Sequence, residues 1–212
     1  PLSAIANYSA GCVKRLQSGH YRVDDILAAM QKASNQAERA GKIIRRMRDM
    51  VKKSEPNRQP ITLAELVDEA RAFADIEAQK NGVHIEVAIA DDLPAIVVDR
   101  IMIEQVLLNL VKNGIEAMQG VPPERRHLRI SAQPVAGRLL EVAVADQGHG
   151  LDEADSEKIF APFYTTKAEG MGIGLAICRS IIEFHQGRLW VEANREGGSV
   201  FRFTVPVEEE HA

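Results

Sequence analysis

Along the first fifty residues the apolar and small positions fall at alternating spacings of three and four. Between 24 and 53 they are Ile26, Met30, Ala33, Ala37, Ala40, Ile44, Met47 and Val51, the heptad stripe of a helix that packs along one seam. Leu2, Ile5, Ser9, Cys12 and Leu16 carry the same rhythm. Gln17-Ser18-Gly19-His20 supplies a turn between the two stretches, and Asp24 and Asp25 suit the start of the second. The pattern predicts an antiparallel helical hairpin. Two helices with one narrow stripe each leave much of that seam wet, and about 55 residues is marginal for an independent core. The expectation is therefore a homodimer through residues 1–53 that closes a four-helix bundle. The alternative is that the stripe packs on residues 60–212.

Beyond Pro60 the periodicity alternates between helix and strand. Residues 63–80, 102–118 and 174–185 read as helices, and 84–89 and 96–98 as strands. Residues 128–132 with 140–145, and 188–192 with 200–205, read as strand pairs. The predicted fold class is α+β: the helical hairpin followed by an α/β sandwich, one mixed sheet covered by helices. Residues 151–171 show little periodicity, and a loop of that length inside a compact domain is commonly a lid over a binding site.

Composition fits a soluble globular chain: of 212 residues 45% are hydrophobic and 26% charged, and no apolar run approaches the ~18 residues that span a bilayer. Cys12 and Cys178, the only cysteines, make neither a disulfide framework nor a four-ligand zinc site, and no signal peptide opens the chain. The cytoplasm is the expected compartment, with no membrane contact from these residues. The net charge of -4 hides a division: residues 1–58 carry 12 Lys and Arg against 5 Asp and Glu, and residues 59–212 carry 14 against 25. The halves are thus +7 and -11, and Pro56 and Pro60 mark a boundary between them. The predicted organisation is a hairpin at 1–53, a linker at 54–60 and a second domain at 61–208. The basic run from Lys42 to Arg48 reads as the solvated outside of the bundle, so no nucleic-acid partner is expected.

Glycines beside helices point to phosphate, yet the chain has no Gly-Lys-Ser/Thr, and Leu175 stands where a dinucleotide fingerprint needs its last glycine. His-Arg-Asp and Asp-Phe-Gly are missing as well, which excludes a eukaryotic-type protein kinase. Four pieces remain. Asn109 and Asn113 lie i, i+4 on one helix face. Asp146-Gln147-Gly148-His149-Gly150 follows a strand. Gly170-Met171-Gly172-Ile173-Gly174 opens a helix whose free amides can receive phosphate. Gly197-Gly198 turns into a last strand that carries Thr204.

In this order, Asn109 to Asn113, Asp146 to Gly150, Phe160-Ala161-Pro162-Phe163 and the triple-glycine run resemble the N, G1, F and G2 boxes of bacterial two-component sensor histidine kinases. The N-terminal Pro1-Leu2-Ser3-Ala4-Ile5, with Phe163-Tyr164-Thr165-Thr166-Lys167 and Gly172-Ile173-Gly174-Leu175, looks most like the branch of the oxygen-sensing nitrogen-fixation kinases. The resemblance spans essentially the whole chain. It implies the ATP-binding fold shared with gyrases and heat-shock chaperones, ATP and Mg2+ as cofactors, and transfer of the γ-phosphate to a histidine and then to an Asp of a response regulator receiver domain.

By that resemblance Asp146 accepts from the adenine amino group, Thr204 supports the same edge, and Asn113 is the metal residue with Asn109 lining the site. Gly148, Gly150, Gly170, Gly172 and Gly174 allow close backbone approach, and Phe160 and Phe163 anchor the lid. Thr165, Thr166 and Leu175 belong to the same boxes, and Lys167 is the candidate for the γ-phosphate. The hydrolytic relatives carry a Glu four residues before the metal Asn, where this chain has Asn109, an amide unable to act as general base. An ATP-hydrolysing clamp and a non-catalytic dimerisation scaffold are the alternatives.

The family's acceptor histidine sits in a His-Glu-x-x-Gln-Pro context just upstream of the proline that is Pro1 here. His20, His84, His127, His149, His185 and His211 are followed by Tyr, Ile, Leu, Gly, Gln and Ala, so none has the acid that takes its proton. The chain is expected to be the core of a longer protein, with the acceptor histidine and a sensor domain upstream, and to be unable to phosphorylate itself.

Overall fold

The computed structural model describes residues 2–19, 21–51, 57–167 and 172–208, and in a few places the backbone alone. Two compact units emerge, Pro1–Pro56 and Asn57–Ala212. Among the described residues no helix is long and apolar enough to cross a membrane.

The first unit is a hairpin of α1 (Leu2–Ser18) and α2 (Val23–Val51). Gly19, at φ +70°, turns the chain, and Ser18 Oγ donates to the Arg15 carbonyl at 2.8 Å. Asp24 and Asp25 stand in the first turn of α2, where carboxylates suit the helix dipole. The inward face differs from the predicted stripe. Cys12 and Ile26 are buried against each other, Ala29 and Ala33 continue that line half-buried, and Ala37 of the predicted stripe is exposed. Met30 remains 60% exposed, with Val13, Leu16, Val23 and Leu27 exposed beside it. The apolar arc is wider than one neighbouring helix can cover. The stripe's Ala40, Ile44, Met47 and Val51 side chains lie outside the described residues.

The second unit is a five-stranded mixed sheet with three helices. Its strands are β2 (His84–Ala88), β4 (His127–Val135), β5 (Leu139–Asp146), β6 (Leu189–Ala193) and β7 (Ser199–Pro206), ordered β2-β4-β5-β7-β6. Only β2 and β4 run parallel. A separate two-stranded sheet joins β1 (Arg58–Ile61) antiparallel to β3 (Ile96–Asp99). The predicted single sheet and the predicted linker at 54–60 are both corrected here: 96–98 leaves the main sheet and pairs with the end of the supposed linker. Pro60 is tolerated because a two-stranded ribbon is all edge, where a missing N–H breaks no central ladder. Residues 52–56 lie outside the described residues.

The helices are α3 (Leu63–Asn81), α4 (Arg100–Ala117) and α5 (Gly174–Phe184). Thr62 and Glu65 close a capping box on α3, and Gly82 in the left-handed region ends it. Asp99 caps α4 by accepting from the Met102 amide at 3.2 Å. Leu66, Val67, Ile103, Leu107, Leu110, Cys178 and Ile182 from the helices are buried with Leu128, Ile130, Leu140, Val142 and Phe203 from the sheet. Along β5 Leu140, Val142, Val144 and Asp146 occupy every second position and are all buried, with the small Ala143 buried on the other face, so the carboxylate of Asp146 continues the apolar face. The other face carries Arg202 between Glu141 and Glu192, at 2.8 and 3.0 Å.

Gly114 decides how close α4 comes to this sheet. A Cβ there would stand 2.7 Å from Leu128 Cδ1 and 3.4 Å from Asp146 Cβ. Gly114→Val should cost about 1–3 kcal/mol by overpacking, read as a lower urea midpoint with an unchanged slope. An unchanged midpoint would contradict this contact.

Candidate functional site

Asp146 ends β5 with its residue only 2% exposed. Burial pushes its carboxyl above the ordinary value of 3.8, and the Gly148 and Ser199 amides oppose that rise. Both amides donate to Oδ1, at 2.8 and 3.3 Å. Among the described residues nothing donates to Oδ2, which remains an anionic acceptor. Asn194 Nδ2 donates to the Asp146 carbonyl at 2.8 Å, and Gly198, at φ +87°, lies so close to that carbonyl that a side chain would collide with it. Only glycine meets both demands at once. Gly148 packs against the end of α4, where a Cβ would be 2.6 Å from the Ala117 carbonyl oxygen, and Gly150 approaches Gly198.

Asn109 and Asn113 share one half-buried side of α4. Asn109 Nδ2 donates to Cys178 Sγ at 3.3 Å, and Asn113 Nδ2 donates to Asn109 Oδ1 at 3.5 Å. Gly174, the first residue of α5, admits the Asn109 carboxamide: a Cβ there would be 2.7 Å from Nδ2. Burial pushes the Cys178 thiol up to about 12, so it is a packing group and not a nucleophile. The start of α5, at Ile173, has no side-chain cap of its own, so among the described residues no capping side chain takes up its first-turn amides.

The described residues of the predicted lid segment contain two short 3-10 turns, Glu153–Asp155 and Lys158–Phe160. Phe160 is buried, edge-on to Phe201, with the Arg179 guanidinium 4.6 Å from its ring centre. Phe163 is not the second ring anchor that the sequence suggests. Its side chain is 58% exposed, and its backbone is what is held, with its N–H donating to the Gly172 carbonyl at 2.7 Å. Thr165 Oγ1 accepts from the Lys167 amide at 3.1 Å, while Thr166 is exposed and Leu175 half-buried. Lys167 Nζ donates to Asn113 Oδ1 at 3.3 Å and forms an ion pair with Glu116. Gly170 lies outside the described residues.

Thr204 does not join this site. It pairs with Glu141 on β5, five residues back from Asp146, about 17 Å along a strand, and its hydroxyl accepts from the Arg188 amide at 3.0 Å. Ser199, at the other end of the same strand, stands beside Asp146. The sequence reading also missed Gly114, Glu116 and Asn194. Glu116 was legible in principle, since it follows Asn113 by three residues and so shares its face. Ser199 and Asn194 are placed by tertiary pairing and left no local signal.

Residues 98–209 match the family model of histidine kinase-, DNA gyrase B- and HSP90-like ATPases. Over its full length the chain is 40% identical to the sensor protein FixL of Bradyrhizobium diazoefficiens and spans 42% of that protein. It spans less than half the length of other relatives it matches as well. Among solved structures, the catalytic domain of the histidine kinase ThkA is 33% identical, with a TM-score of 0.63 over 71% of this chain and 96% of that one. ThkA solved in complex with the response regulator protein TrrA is 28% identical, with a TM-score of 0.68 over 98% of this chain and 60% of that one.

A carboxyl whose folded pKa is raised binds its proton more tightly in the folded state, so its contribution to stability falls as pH rises from about the ordinary 3.8 through the raised value. At neutral pH the Asp146 charge therefore weighs against the fold. Asp146→Asn keeps an oxygen for the two amides and removes the charge. The nucleotide-free variant should melt higher than the unmodified chain at pH 7, with the difference shrinking as pH falls toward 4. A variant that melts lower at pH 7 would show that the charge is stabilised by its amides.

Proposed function

Because the chain belongs to the histidine kinase-, DNA gyrase B- and HSP90-like ATPase family, and within it to the sensor histidine kinases, we propose that it is the kinase core of a two-component sensor. On this reading the unit from 61 to 208 binds ATP with Mg2+ and delivers the γ-phosphate to a histidine, from which it passes to an Asp of a response regulator. Residues 1–53 form the dimerisation and phosphotransfer hairpin, with a sensor domain elsewhere in the full-length protein. The need for ATP and a response regulator makes the cytoplasm its compartment. The ThkA complex with TrrA supports that partner class.

One observation carries the reading: Asp146, the asparagine pair of α4, Lys167 and the uncapped start of α5 belong to one unit and adjoin one another through Gly114, Gly174 and the Lys167 contact. Asp146 Oδ2 is an acceptor for the adenine 6-amino group, where guanine carries a carbonyl oxygen instead. The first amides of α5 face anionic phosphate favourably. The Asn113 amide oxygen already accepts from a cation, the Lys167 ammonium, so it fits Mg2+, a hard cation that takes oxygen ligands and keeps several waters. Bound there, the metal supplies charge neutralisation on the phosphates.

Asn109 sets the fate of the nucleotide. Its carboxamide is committed to Cys178 and Asn113 and has no basic lone pair with which to activate water. The site holds ATP until an acceptor arrives, which favours a kinase over a hydrolytic clamp. Exposed Met30, Leu27 and Val23 on α2 give the hairpin an apolar face for a second copy.

Asp146→Asn should weaken ATP binding by roughly 10 to 150-fold, the worth of a charge-assisted hydrogen bond of ~1.5–3 kcal/mol. Calorimetry that finds ATP and GTP bound equally by the unmodified chain would sink the adenine assignment.

With radiolabelled ATP the chain alone should remain unlabelled, yet it should label a longer copy that carries the acceptor helix and an Asp146→Asn nucleotide unit. Met30→Asp places an unpaired charge in the dimer face and should abolish that transfer along with dimerisation. Label on the chain alone would make one of its six histidines an acceptor.

A further inference from the structure

The ammonium of Lys167 rests on two oxygens of different kinds. It donates to the Asn113 amide oxygen at 3.3 Å and is paired with the Glu116 carboxylate. These two residues stand i, i+3 on α4, so their side chains lie on one face. Glu116 is sheltered, its side chain 28% exposed, and its other cationic partner is Lys112 at a looser 3.8 Å. One amide oxygen and one carboxylate oxygen converging on a cation form a hard donor pair of the sort that divalent magnesium or manganese takes.

We propose that Asn113 and Glu116 together form the protein side of a divalent-cation seat, and that Lys167 fills that seat in the absence of nucleotide. The inference rests on the reading of Asn113 as the metal residue and adds Glu116 as its carboxylate partner and Lys167 as the competing cation. The charges favour such an exchange. With Lys167 in place the Glu116 carboxylate is matched by the Lys167 ammonium, with Lys112 at the looser distance beside it, so the carboxylate is not left unpaired when ATP is away. A divalent ion in the seat leaves a net positive charge on Glu116 and frees the Lys167 ammonium as a further one, at the moment when a polyphosphate needs both.

The exchange also acts on the lid. The Lys167 backbone amide donates to Thr165 Oγ1 at 3.1 Å, so the turn at 165–167 moves with the residue whose ammonium is latched to α4. Releasing the ammonium releases that turn. Glu116 is in this sense a positioning residue for Lys167 before it is a metal residue.

The test needs no nucleotide. Manganese is titrated into the full chain, and the free ion is followed by electron paramagnetic resonance. Lys167→Met removes the competing ammonium and should tighten manganese binding about tenfold or more. Glu116→Gln should weaken it, and the double variant should lose the gain that Lys167→Met gives. Unchanged binding in Lys167→Met, or a gain that survives in the double variant, would overturn the exchange. As a second readout, Glu116→Gln should speed tryptic cleavage after Lys167 several-fold, and an unchanged rate would show that the latch does not hold the lid. Manganese-ATP binding separates this inference from the reading beneath it. If Asn113→Ala weakens that binding while Lys167→Met leaves nucleotide-free manganese binding unchanged, the exchange fails alone; if Asn113→Ala has no effect, the metal assignment fails first.

Discussion

A carboxylate at the end of an apolar sheet face is costly, and the nucleotide unit is arranged around meeting that cost. Asp146 occupies the next inward position after Leu140, Val142 and Val144, where an aliphatic residue would be the cheaper choice. Two amides on one of its oxygens offset part of the desolvation, and each comes from a different loop. Gly148 belongs to the turn after β5, and Ser199 opens β7 after the Gly197-Gly198 turn. Asn194, from the end of β6, then holds the Asp146 carbonyl. One residue thus fixes two loops, the turn after β5 and both ends of the β6–β7 turn, and the second carboxylate oxygen is what the arrangement offers to a ligand.

The opposite corner of the unit is pinned by a different buried polar group. His185, wholly buried, accepts the Asp99 amide proton on Nε2 at 3.0 Å, while Nδ1 lies 2.8 Å from the Ile181 carbonyl. Those partners require the neutral ring with its proton on Nδ1, and burial lowers its basicity accordingly. Asp99 caps α4, and Ile181 lies within α5, so the start of one helix is joined to the end of the other. Arg58 reinforces the joint by donating to the Phe184 carbonyl at 2.6 Å and lying over the Phe184 ring. With α4 fixed at its start by His185 and near its end by the Gly114 contact, Asn109, Asn113 and Glu116 are presented on a rigid element.

What was legible in the sequence is what local spacing determines. The i, i+4 asparagines, the strand ending in Asp146 and the helical periodicities each carry their signal within a few residues, and the elements predicted beyond residue 61 are found within a few residues of their predicted places. What was not legible depends on pairing across the chain. Nothing near Ile96 says that it pairs with Ile61 instead of joining the main sheet. Thr204 and Ser199 share one strand, and only the antiparallel register of β7 on β5 decides that the Ser199 amide, and nothing of Thr204, reaches Asp146. Met30 shows the same limit in a helix. A heptad pattern states that a residue faces some neighbour, and does not state whether that neighbour belongs to the same chain.

The three helices of the nucleotide unit start in three different ways, and the contrast bears on what the third is for. Helix α3 has a capping box and α4 has Asp99, each worth about 1 kcal/mol. Helix α5 begins at an isoleucine with no side-chain cap, although its face is strongly apolar and its packing on α4 is close enough to need glycine at 174. A cap there would consume an amide that an anionic ligand can otherwise use, and a carboxylate cap would repel that ligand outright. Leaving α5 uncapped is a stability cost at one helix start, and it coincides with the Asn109 amide, which neither repels phosphate nor activates water against it. On the proposed reading both choices suit a site that holds a triphosphate for transfer, since neither supplies a base that would activate water against it.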